Sequence, residues 1–391
     1  MISKNLLVIT DGYPPKNEIE NYGIFVKELV HALSMYIPKI YVYSSLPLRK
    51  KSIFSKIFYI NYSVSNIDVK YIRVPLITQL PLFVRKIMST IASTYILNQI
   101  KKPRNIGLIN AHFIWPSGYL GVKIKEYTNI PIIITAHGYD VYDLPFRNMY
   151  WYKLAQYVIY MADHIVTVSN KNKEMLISRL GANPNKITVI PNGYDPNKFR
   201  PLNKTYVRTL LGLPHNKKIL LNVANLVPVK GHIYLLYAFR ELLKEYKDVI
   251  LIIVGGGPLF DTLKKYCKIL GIANNVIFTL QRPHKEIPLW MNAADLFVLP
   301  SINEGSPTVI FEALGVGLPI IATNVGGIPE IISSEEIGYL CKPKDVTCLS
   351  QKIIEGLKKQ WNRSYIIEYS KQFTWDNIAK KYLEIFKMYI S

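Results

Sequence analysis

Residues 296–312 read LFVLPSINEGSPTVIFE: a short apolar run, a polar loop and the start of an apolar helix. The run at 296–299 has the length and composition of a buried strand. Pro307 suits a first helical position, where the missing N–H of proline costs nothing. The stretch therefore predicts a strand–loop–helix unit, with Glu304 at the mouth of the helix and Glu312 about 1.5 turns deeper.

The same alternation of short β-branched runs and amphipathic helices extends from this unit through the rest of the chain. Further strands are expected at residues 6–9, 40–43, 69–74, 108–111, 132–135, 164–168, 187–190, 219–223, 249–254, 276–280 and 320–323. Helices are expected at about 24–36, 84–100, 233–246, 307–316 and 375–389. Strand–helix–strand alternation predicts an α/β fold whose parallel sheets are covered by helices.

The length of 391 residues exceeds the size at which one hydrophobic core keeps growing, so two domains are expected. Residues 192–197 are rich in turn formers and are the best candidate linker. We expect an N-terminal domain over 1–198 and a C-terminal domain over 199–374. A final helix over 375–391 is expected to pack back on the first domain.

The cysteines and the apolar runs bear on the cellular compartment. Cys267, Cys341 and Cys348 show no CxxC spacing and no clustered histidines accompany them, which predicts packing roles rather than a zinc site or a disulfide framework. No apolar run reaches the roughly 18 residues that a membrane helix needs. These patterns predict a soluble, cytoplasmic chain in a reducing compartment.

The net charge of +21 is concentrated in the first half, where residues 39–104 hold 12 basic residues and one acidic residue, Asp68. Nucleic acid, an anionic membrane or a phosphorylated substrate would each attract such a segment. No zinc-finger, RNA-recognition or basic-zipper pattern accompanies it, which argues against nucleic acid. Around 46–58 the basic residues alternate with aliphatic and aromatic ones, which predicts peripheral docking on an anionic membrane. The alternative is a solvated basic face.

In a parallel sheet, ligands bind at the carboxyl ends of the strands, so the loops that follow strands carry the candidate residues. Gly23 opens a helix after the first strand, where a glycine lets a phosphate approach the backbone N–H groups. The alternative is an ordinary turn. His137 follows the strand at 132–135 and could donate to a sugar hydroxyl or a phosphate oxygen. It could equally be a loop histidine bonded to a carbonyl. His112 lies similarly after 108–111, with weaker support.

In the second half, Lys230 lies just before a helix, where its ammonium group and the exposed N–H groups would converge on one anion. A solvated loop lysine is the alternative. Glu312 lies within an otherwise apolar helix, where a buried carboxylate is costly without a hydrogen-bonding partner. Vicinal ribose hydroxyls would be such a partner, whereas a solvent-facing glutamate would need none.

Taken together, these motifs closely resemble the family-four retaining glycosyltransferases of GT-B architecture. The matching segments cover nearly the whole chain: YGIFV at 22–26, HGYD at 137–140, VS at 168–169, IPNGYD at 190–195, KG at 230–231, VGGGP at 254–258, LPS at 299–301, EGSPTVIFE at 304–312 and GGIPE at 326–330. The resemblance implies two facing Rossmann-like domains with a deep interdomain cleft. It also implies that the N-terminal domain binds the acceptor and the C-terminal domain binds the nucleotide sugar.

The resemblance also implies roles for individual residues. Lys230 and Gly23 would flank the diphosphate, His137 would lie beside the transferred sugar, and Glu312 would hold the ribose. The donor sugar would be held by Glu304 and by the residues that follow it, Gly305, Ser306, Pro307 and Thr308. One departure stands out: the arginine usual in the family is replaced by Asn225, which leaves Lys230 as the remaining member of the cationic pair.

The implied function is a retaining transfer of sugar from a UDP- or GDP-sugar to a saccharide or lipid-linked acceptor, in cell-surface polysaccharide or glycoprotein glycan synthesis. Neither a metal nor a cofactor is expected, and no nucleic-acid partner. Two rivals remain. A sugar-nucleotide epimerase has a similar two-domain architecture and would convert the donor without an acceptor. A pseudo-transferase subunit, suggested by Asn225, would bind donor without turnover.

Overall fold

The computed structural model describes residues 2–16, 22–47, 60–74, 91, 94–98 and 105–390. Of the helix expected over 84–100, residues 91 and 94–98 are described and are helical; the rest lies outside the described residues, as does most of the basic segment at 46–58. The chain divides into two compact units. Unit 1 comprises Met1–Asn192 and Trp375–Ser391, and unit 2 comprises Gly193–Thr374.

Unit 1 is built on an eight-stranded sheet. Its elements before the crossover to unit 2 are β1 (Asn5–Thr10), α1 (Ile24–Leu33), β2 (Ile40–Pro47), β3 (Tyr62–Val64), β4 (Ile67–Val74), β5 (Ile106–His112), α2 (Tyr119–Thr128), β6 (Ile132–Ala136), α3 (Tyr139–Tyr142), α4 (Met149–Met161), β7 (His164–Thr167), α5 (Asn170–Leu180) and β8 (Ile187–Val189). The strand order is β3-β4-β2-β1-β5-β6-β7-β8. All neighbours are parallel except β3, which pairs antiparallel with β4.

Unit 2 is built on a six-stranded sheet in which every pair is parallel. Its elements are α6 (Lys204–Leu210), β9 (Lys218–Val223), α7 (His232–Glu245), β10 (Val249–Val254), α8 (Phe260–Ile269), β11 (Val276–Leu280), α9 (Ile287–Ala293), β12 (Leu296–Leu299), α10 (Thr308–Gly315), β13 (Ile320–Thr323), α11 (Ile328–Ile331), β14 (Gly338–Cys341), α12 (Val346–Lys358) and α13 (Arg363–Ser370). The strand order is β11-β10-β9-β12-β13-β14.

Apolar cores cover both faces of the unit 2 sheet, which explains its uninterrupted apolar strands. All six residues of β10 are buried. Ile250 and Ile252 belong to the core on one face, whereas Leu251 and Ile253 belong to the core on the other. Successive side chains of a strand point to opposite faces, so a strand between two helix layers must be apolar at every position.

The chain returns to unit 1 through the C-terminal helix α14 (Trp375–Tyr389), which is amphipathic and packs against α1. Its buried residues Ile378, Tyr382 and Phe386 join the core that contains Leu6 and Val8 of β1. The Tyr382 hydroxyl donates to Thr135 Oγ1 (3.4 Å), and the Tyr389 hydroxyl donates to the carbonyl of Asp163 (3.2 Å). These contacts make the last helix part of the first unit.

The prediction that all three cysteines are plain packing residues is wrong for two of them. Cys341 at the end of β14 forms a disulfide with Cys348 in the first turn of α12. Their Cα atoms lie 5.8 Å apart because the chain reverses between strand and helix. Asp345 caps the helix by accepting the Cys348 N–H (2.9 Å), and this fixes the reversal. Cys267 is buried and free.

Candidate active site

The carboxyl ends of β9 and β12, neighbours in the unit 2 sheet, bring two predicted site loops together. The backbone N–H of Ile302, after β12, donates to the carbonyl of Val229, after β9 (2.7 Å). Gly231 has a φ of +67°, and a Cβ at this position would lie 2.0 Å from the Pro300 carbonyl oxygen. Only glycine permits this close approach, so backbone packing requires the Gly231 that follows Lys230.

Lys230 and Glu304 form an ion pair at this junction. Lys230 Nζ donates to Glu304 Oε1 at 2.6 Å, and Ser301 Oγ donates to the same oxygen at 2.7 Å. The Glu304 side chain is 9% exposed and that of Lys230 is 23% exposed, so the pair is largely withdrawn from solvent screening. The structure thus confines a cation and a carboxylate to one edge of the sheet.

The residues after Glu304 form a tight loop that leads into α10. Gly305 accepts the backbone N–H of Gly327, after β13 (2.8 Å), which ties a third loop to the same edge. Ser306 and Pro307 are buried, and Thr308 is half-buried. Pro307 is the N-cap residue of α10, not its first helical residue as expected, because its ψ of 112° is extended. The first N–H groups of the helix lack intrahelical acceptors and carry its positive end.

Glu312 is buried, as its apolar surroundings in the sequence indicated, and its side chain is bound by a residue that the sequence did not suggest. His284 Nε2 donates to Glu312 Oε1 at 2.7 Å. His284 lies just after β11 and its ring packs against Phe199, with the centroids 5.3 Å apart. A buried carboxylate needs a hydrogen-bonding partner, and His284 supplies one for Glu312. The sequence had suggested only ribose hydroxyls for this role. No sequence signal pointed to His284, since Pro283-His284-Lys285 reads as an ordinary turn.

Asn225 lies in the loop after β9, where its side chain is exposed. The backbone carbonyl oxygen of Asn225 accepts the backbone N–H of Val227 (2.9 Å). The loop also packs against the glycine-rich turn after β10, because the N–H of Leu226 donates to the Gly256 carbonyl (2.9 Å). Asn225, which stands where the resembled family usually has an arginine, therefore carries a neutral, exposed side chain.

Unit 1 carries the remaining two predicted residues at the carboxyl ends of its own strands. Gly23 is the N-cap of α1, with a φ of +77°, and a Cβ there would lie 2.1 Å from the Gly12 carbonyl oxygen. His137 follows β6, and its Nε2 lies 3.0 Å from His112 Nδ1 at the end of β5. Burial holds the pKa of the His137 imidazole well below its usual range, and the neighbouring His112 lowers it further.

The described ranges also lack a membrane-spanning helix and a group of metal-ligating side chains. None of their helices combines the length and apolar character that crossing a bilayer requires. Within the same ranges, no three His, Cys, Asp or Glu side chains are grouped so that they could hold a metal ion.

Two α/β sheets, one parallel throughout and the other parallel except for β3, each with polar loops at its strand ends, place the chain in the GT-B class of folds. Sucrose-phosphate synthase from Thermosynechococcus elongatus has the same architecture: the TM-score is 0.81, the identity is 20%, and the match covers 98% of both chains.

The chain belongs to the glycosyl transferases group 1, whose family model matches residues 205–373; the Glycosyltransferase Family 4 model matches residues 56–198. The putative teichuronic acid biosynthesis glycosyltransferase TuaC of Bacillus subtilis is 34% identical over 63% of this chain, and the match spans 60% of the length of TuaC. An Escherichia coli UDP-Gal:alpha-D-GlcNAc-diphosphoundecaprenol alpha-1,3-galactosyltransferase is 30% identical, over 67% of this chain and 68% of its own length.

Proposed function

We propose that this protein is a retaining glycosyltransferase that moves a sugar from a UDP- or GDP-sugar to a saccharide or lipid-linked acceptor in cell-surface glycan synthesis. The observation that carries the proposal is the Lys230–Glu304 ion pair at the carboxyl ends of two neighbouring strands, where Ser301 also donates to Glu304. Both residues of the pair lie within 205–373, the range that the group 1 family model matches. Two relatives support the substrate classes: TuaC is described as a putative glycosyltransferase of teichuronic acid biosynthesis, and the Escherichia coli galactosyltransferase as one that uses UDP-Gal and a diphosphoundecaprenol-linked sugar.

In this proposal unit 2 binds the donor. Lys230 and the positive end of α10 bind the diphosphate, Glu304 binds the sugar, and Glu312 binds the ribose. The bond between the anomeric carbon and the phosphate oxygen breaks with its electron pair going to the phosphate. The acceptor oxygen attacks from the same face, and its proton passes to the departing phosphate. Negative charge grows on the leaving group, so a fixed cation and helix N–H groups lower the barrier.

His137 and Gly23 of unit 1 are assigned to the transferred sugar and to the diphosphate, respectively. Burial, and then the neighbouring His112, lower the pKa of His137, which keeps its imidazole neutral at physiological pH. A neutral donor can bind a sugar hydroxyl without adding a charge beside the anomeric carbon.

A second candidate function, a pseudo-transferase subunit, is favoured by one observation. Asn225 stands where the glycosyltransferase family usually has an arginine, and its side chain is exposed. The proposed diphosphate site therefore has one cation fewer. Such a subunit would bind donor but would not turn it over.

The experiment that separates these candidates is a screen of the purified chain against UDP- and GDP-sugars, with and without saccharide and lipid-linked acceptors. Donor affinity is measured by calorimetry, and release of the nucleoside diphosphate is measured separately. Acceptor-dependent release supports the transferase. Binding without release supports the pseudo-transferase, and conversion of the donor sugar with no acceptor supports an epimerase.

We predict that the product keeps the anomeric configuration of the donor and that activity survives EDTA. The physical reason is that charge on the leaving diphosphate is balanced by Lys230 and the helix N–H groups rather than by a bound cation. NMR coupling constants of the anomeric proton report the configuration, and the same assay is repeated after chelation. An inverted product, or activity restored only by added Mg²⁺, would contradict the mechanism.

Glu312→Gln is predicted to weaken donor binding by about tenfold with little change in kcat, since ribose is bound alike in the ground and transition states. The expected factor corresponds to the loss of one charge-assisted hydrogen bond. Calorimetry of UDP or GDP binding and steady-state kinetics check it. A nucleotide affinity equal to that of the wild type would exclude Glu312 from the ribose site.

Peripheral binding to an anionic membrane is also predicted, from the basic and apolar residues at 46–58. Each basic residue near such a surface contributes about 1 kcal/mol, so about four to six suffice for reversible attachment. Cosedimentation with anionic and with neutral liposomes, at low and high salt, measures it. Replacing Arg49, Lys50, Lys51 and Lys56 by serine should abolish binding. Equal binding to neutral liposomes, or binding that ignores salt, would leave the segment as an ordinary solvated face.

A further inference from the structure

His284 and Glu312 join two parts of unit 2 that are not neighbours in its sheet. His284 follows the edge strand β11, and Glu312 lies in α10, which follows β12. The strand order β11-β10-β9-β12 places two strands between them. The bond from His284 Nε2 to Glu312 Oε1 (2.7 Å) therefore spans β10 and β9, whose loops hold the glycine-rich turn at 255–257 and Lys230.

Both residues of the pair are held by one apolar core. Glu312 follows Phe311 in α10, and Phe311 is completely buried in that core. The ring of His284 packs against Phe199, a member of the same core, with the ring centroids 5.3 Å apart. The N–H of Ile287, the first residue of α9, donates to the His284 carbonyl. The core therefore fixes both backbones, and the hydrogen bond then fixes the carboxylate.

The bond occupies one oxygen of the carboxylate and leaves the other open. A carboxylate offers only lone pairs, so the proton of this bond is on His284 Nε2. Among the described residues, Glu312 Oε2 has no hydrogen-bond partner, and it is not one of the fully enclosed polar atoms that lack one. The Glu312 side chain is 7% exposed and that of His284 is 8% exposed. The free oxygen therefore keeps contact with solvent, from which a ligand can reach it.

Asp295 of the same unit shows how a carboxylate with a purely structural role is paired. Its Oδ1 accepts from Lys204 Nζ (2.8 Å), and its Oδ2 accepts from the Arg208 guanidinium (2.8 Å) and from the Ile219 N–H (2.7 Å). Glu312 has one donor for its two oxygens. Because a withdrawn charge needs its hydrogen bonds, this difference indicates that a ligand completes the bonding of Glu312.

We propose that His284 is a positioning residue for nucleotide binding: it holds Oε1 of Glu312 and thereby directs Oε2 to the ribose hydroxyls of the donor. The inference rests on the proposed function, in which Glu312 binds the ribose. Without the bond the carboxylate can rotate, and the free energy of ordering it is then lost from the affinity. Ribose is bound alike in the ground and transition states, so turnover should change little.

The test compares the affinity for a nucleoside diphosphate with that for its 2′,3′-dideoxy analogue, both measured by calorimetry. The ratio isolates the ribose hydroxyls, because base and diphosphate are common to the two ligands. UDP and GDP are each paired with their own analogue. The wild type should prefer the hydroxylated nucleotide by about tenfold, the effect of one charge-assisted hydrogen bond, and Glu312→Gln should lower this preference to about twofold.

His284→Phe keeps a ring against Phe199 but removes the donor. It should lower the preference to about two- to threefold while kcat stays within about twofold of the wild type, since the contact that it weakens is the one that Glu312→Gln removes. His284→Gln places an amide N–H near the position of Nε2 and should recover most of the preference. His284→Asn is too short to reach Oε1, so it should resemble His284→Phe and serves if the latter folds poorly.

A double variant separates positioning from a general loss of structure. In the Glu312→Gln background, His284→Phe should change the preference by less than about twofold, because the two residues act through one contact. A merely structural role would lower the unfolding temperature and weaken both ligands equally, which leaves the ratio unchanged. Unfolding temperatures are therefore recorded for every variant.

His215→Phe is the matched control. His215 is an exposed histidine of unit 2 that precedes β9, at the amino end of the sheet, and its Nε2 lies 3.2 Å from Thr209 Oγ1. Its replacement should leave the preference for the hydroxylated nucleotide and kcat unchanged.

Three results would overturn the inference, and they are distinguishable. A wild-type preference in both His284→Phe and His284→Asn, or independent losses in the double variant, would remove the positioning role and leave the proposed function intact. A wild type without preference for the hydroxylated nucleotide would also remove Glu312 from the ribose site. A wild type that binds neither UDP nor GDP would defeat the proposed function itself.

Discussion

Glu304→Gln is expected to lower kcat by about 100-fold while donor affinity stays within a few-fold of the wild type. The substitution keeps the shape and an oxygen for Ser301, but it removes the charge that orients Lys230. The charge-assisted hydrogen bond to the sugar contributes about 1.5–3 kcal/mol. Losing about 3 kcal/mol of transition-state stabilisation gives a factor of that size, because about 1.4 kcal/mol is tenfold in rate.

The measurement is steady-state kinetics together with calorimetry of donor binding. Glu241→Gln is the control, since Glu241 forms an exposed pair with Lys244 on α7 and has no place in the proposed site. It should leave kcat unchanged. Wild-type turnover in Glu304→Gln would remove Glu304 from the reacting centre.

Lys230→Ala should weaken donor binding and lower kcat/KM by at least tenfold and up to about 150-fold, from the loss of one charge-assisted bond to the diphosphate. The effect on kcat/KM should exceed that on binding, because the charge on the leaving diphosphate grows in the transition state. Binding of the nucleoside diphosphate alone should fall as well, which separates a phosphate contact from a sugar contact.

Lys244→Ala provides the control for Lys230, because Lys244 is a lysine of the same unit in an exposed ion pair. A complementary change is Asn225→Arg, which restores the second cation and should leave or raise donor affinity. If Lys230→Ala binds nucleoside diphosphate as tightly as the wild type, the phosphate assignment is wrong.

The strands of unit 2 were the part of the fold best predicted from sequence. β10, β11, β12 and β13 have the expected bounds, and β9 begins one residue earlier. Continuous apolar runs of four to six residues predict buried parallel strands well, because both faces of such a sheet are covered. β3 was missed since its three residues are too short to show a period, and β14 was missed since half of its residues are only partly buried.

The residues of the candidate site were predicted from sequence, whereas the side chains that contact them in the structure were not. Lys230, Glu304 and Glu312 stood out because charged residues follow apolar strands or interrupt an apolar helix. Ser301 was quoted only as part of a motif, and His284 was not considered. A loop histidine gives no local pattern that reveals which helix it will reach.

The sequence by itself determined the strand–helix alternation, the two-unit organisation it implies, and the charged residues at the strand ends. These follow from local propensity and from hydrophobic period, which act over a few neighbouring residues. Only the tertiary structure decided that His284 binds Glu312, that His112 binds His137, and that Cys341 pairs with Cys348. Each pair joins different elements, so its geometry depends on strand order and on chain reversals that no local pattern specifies.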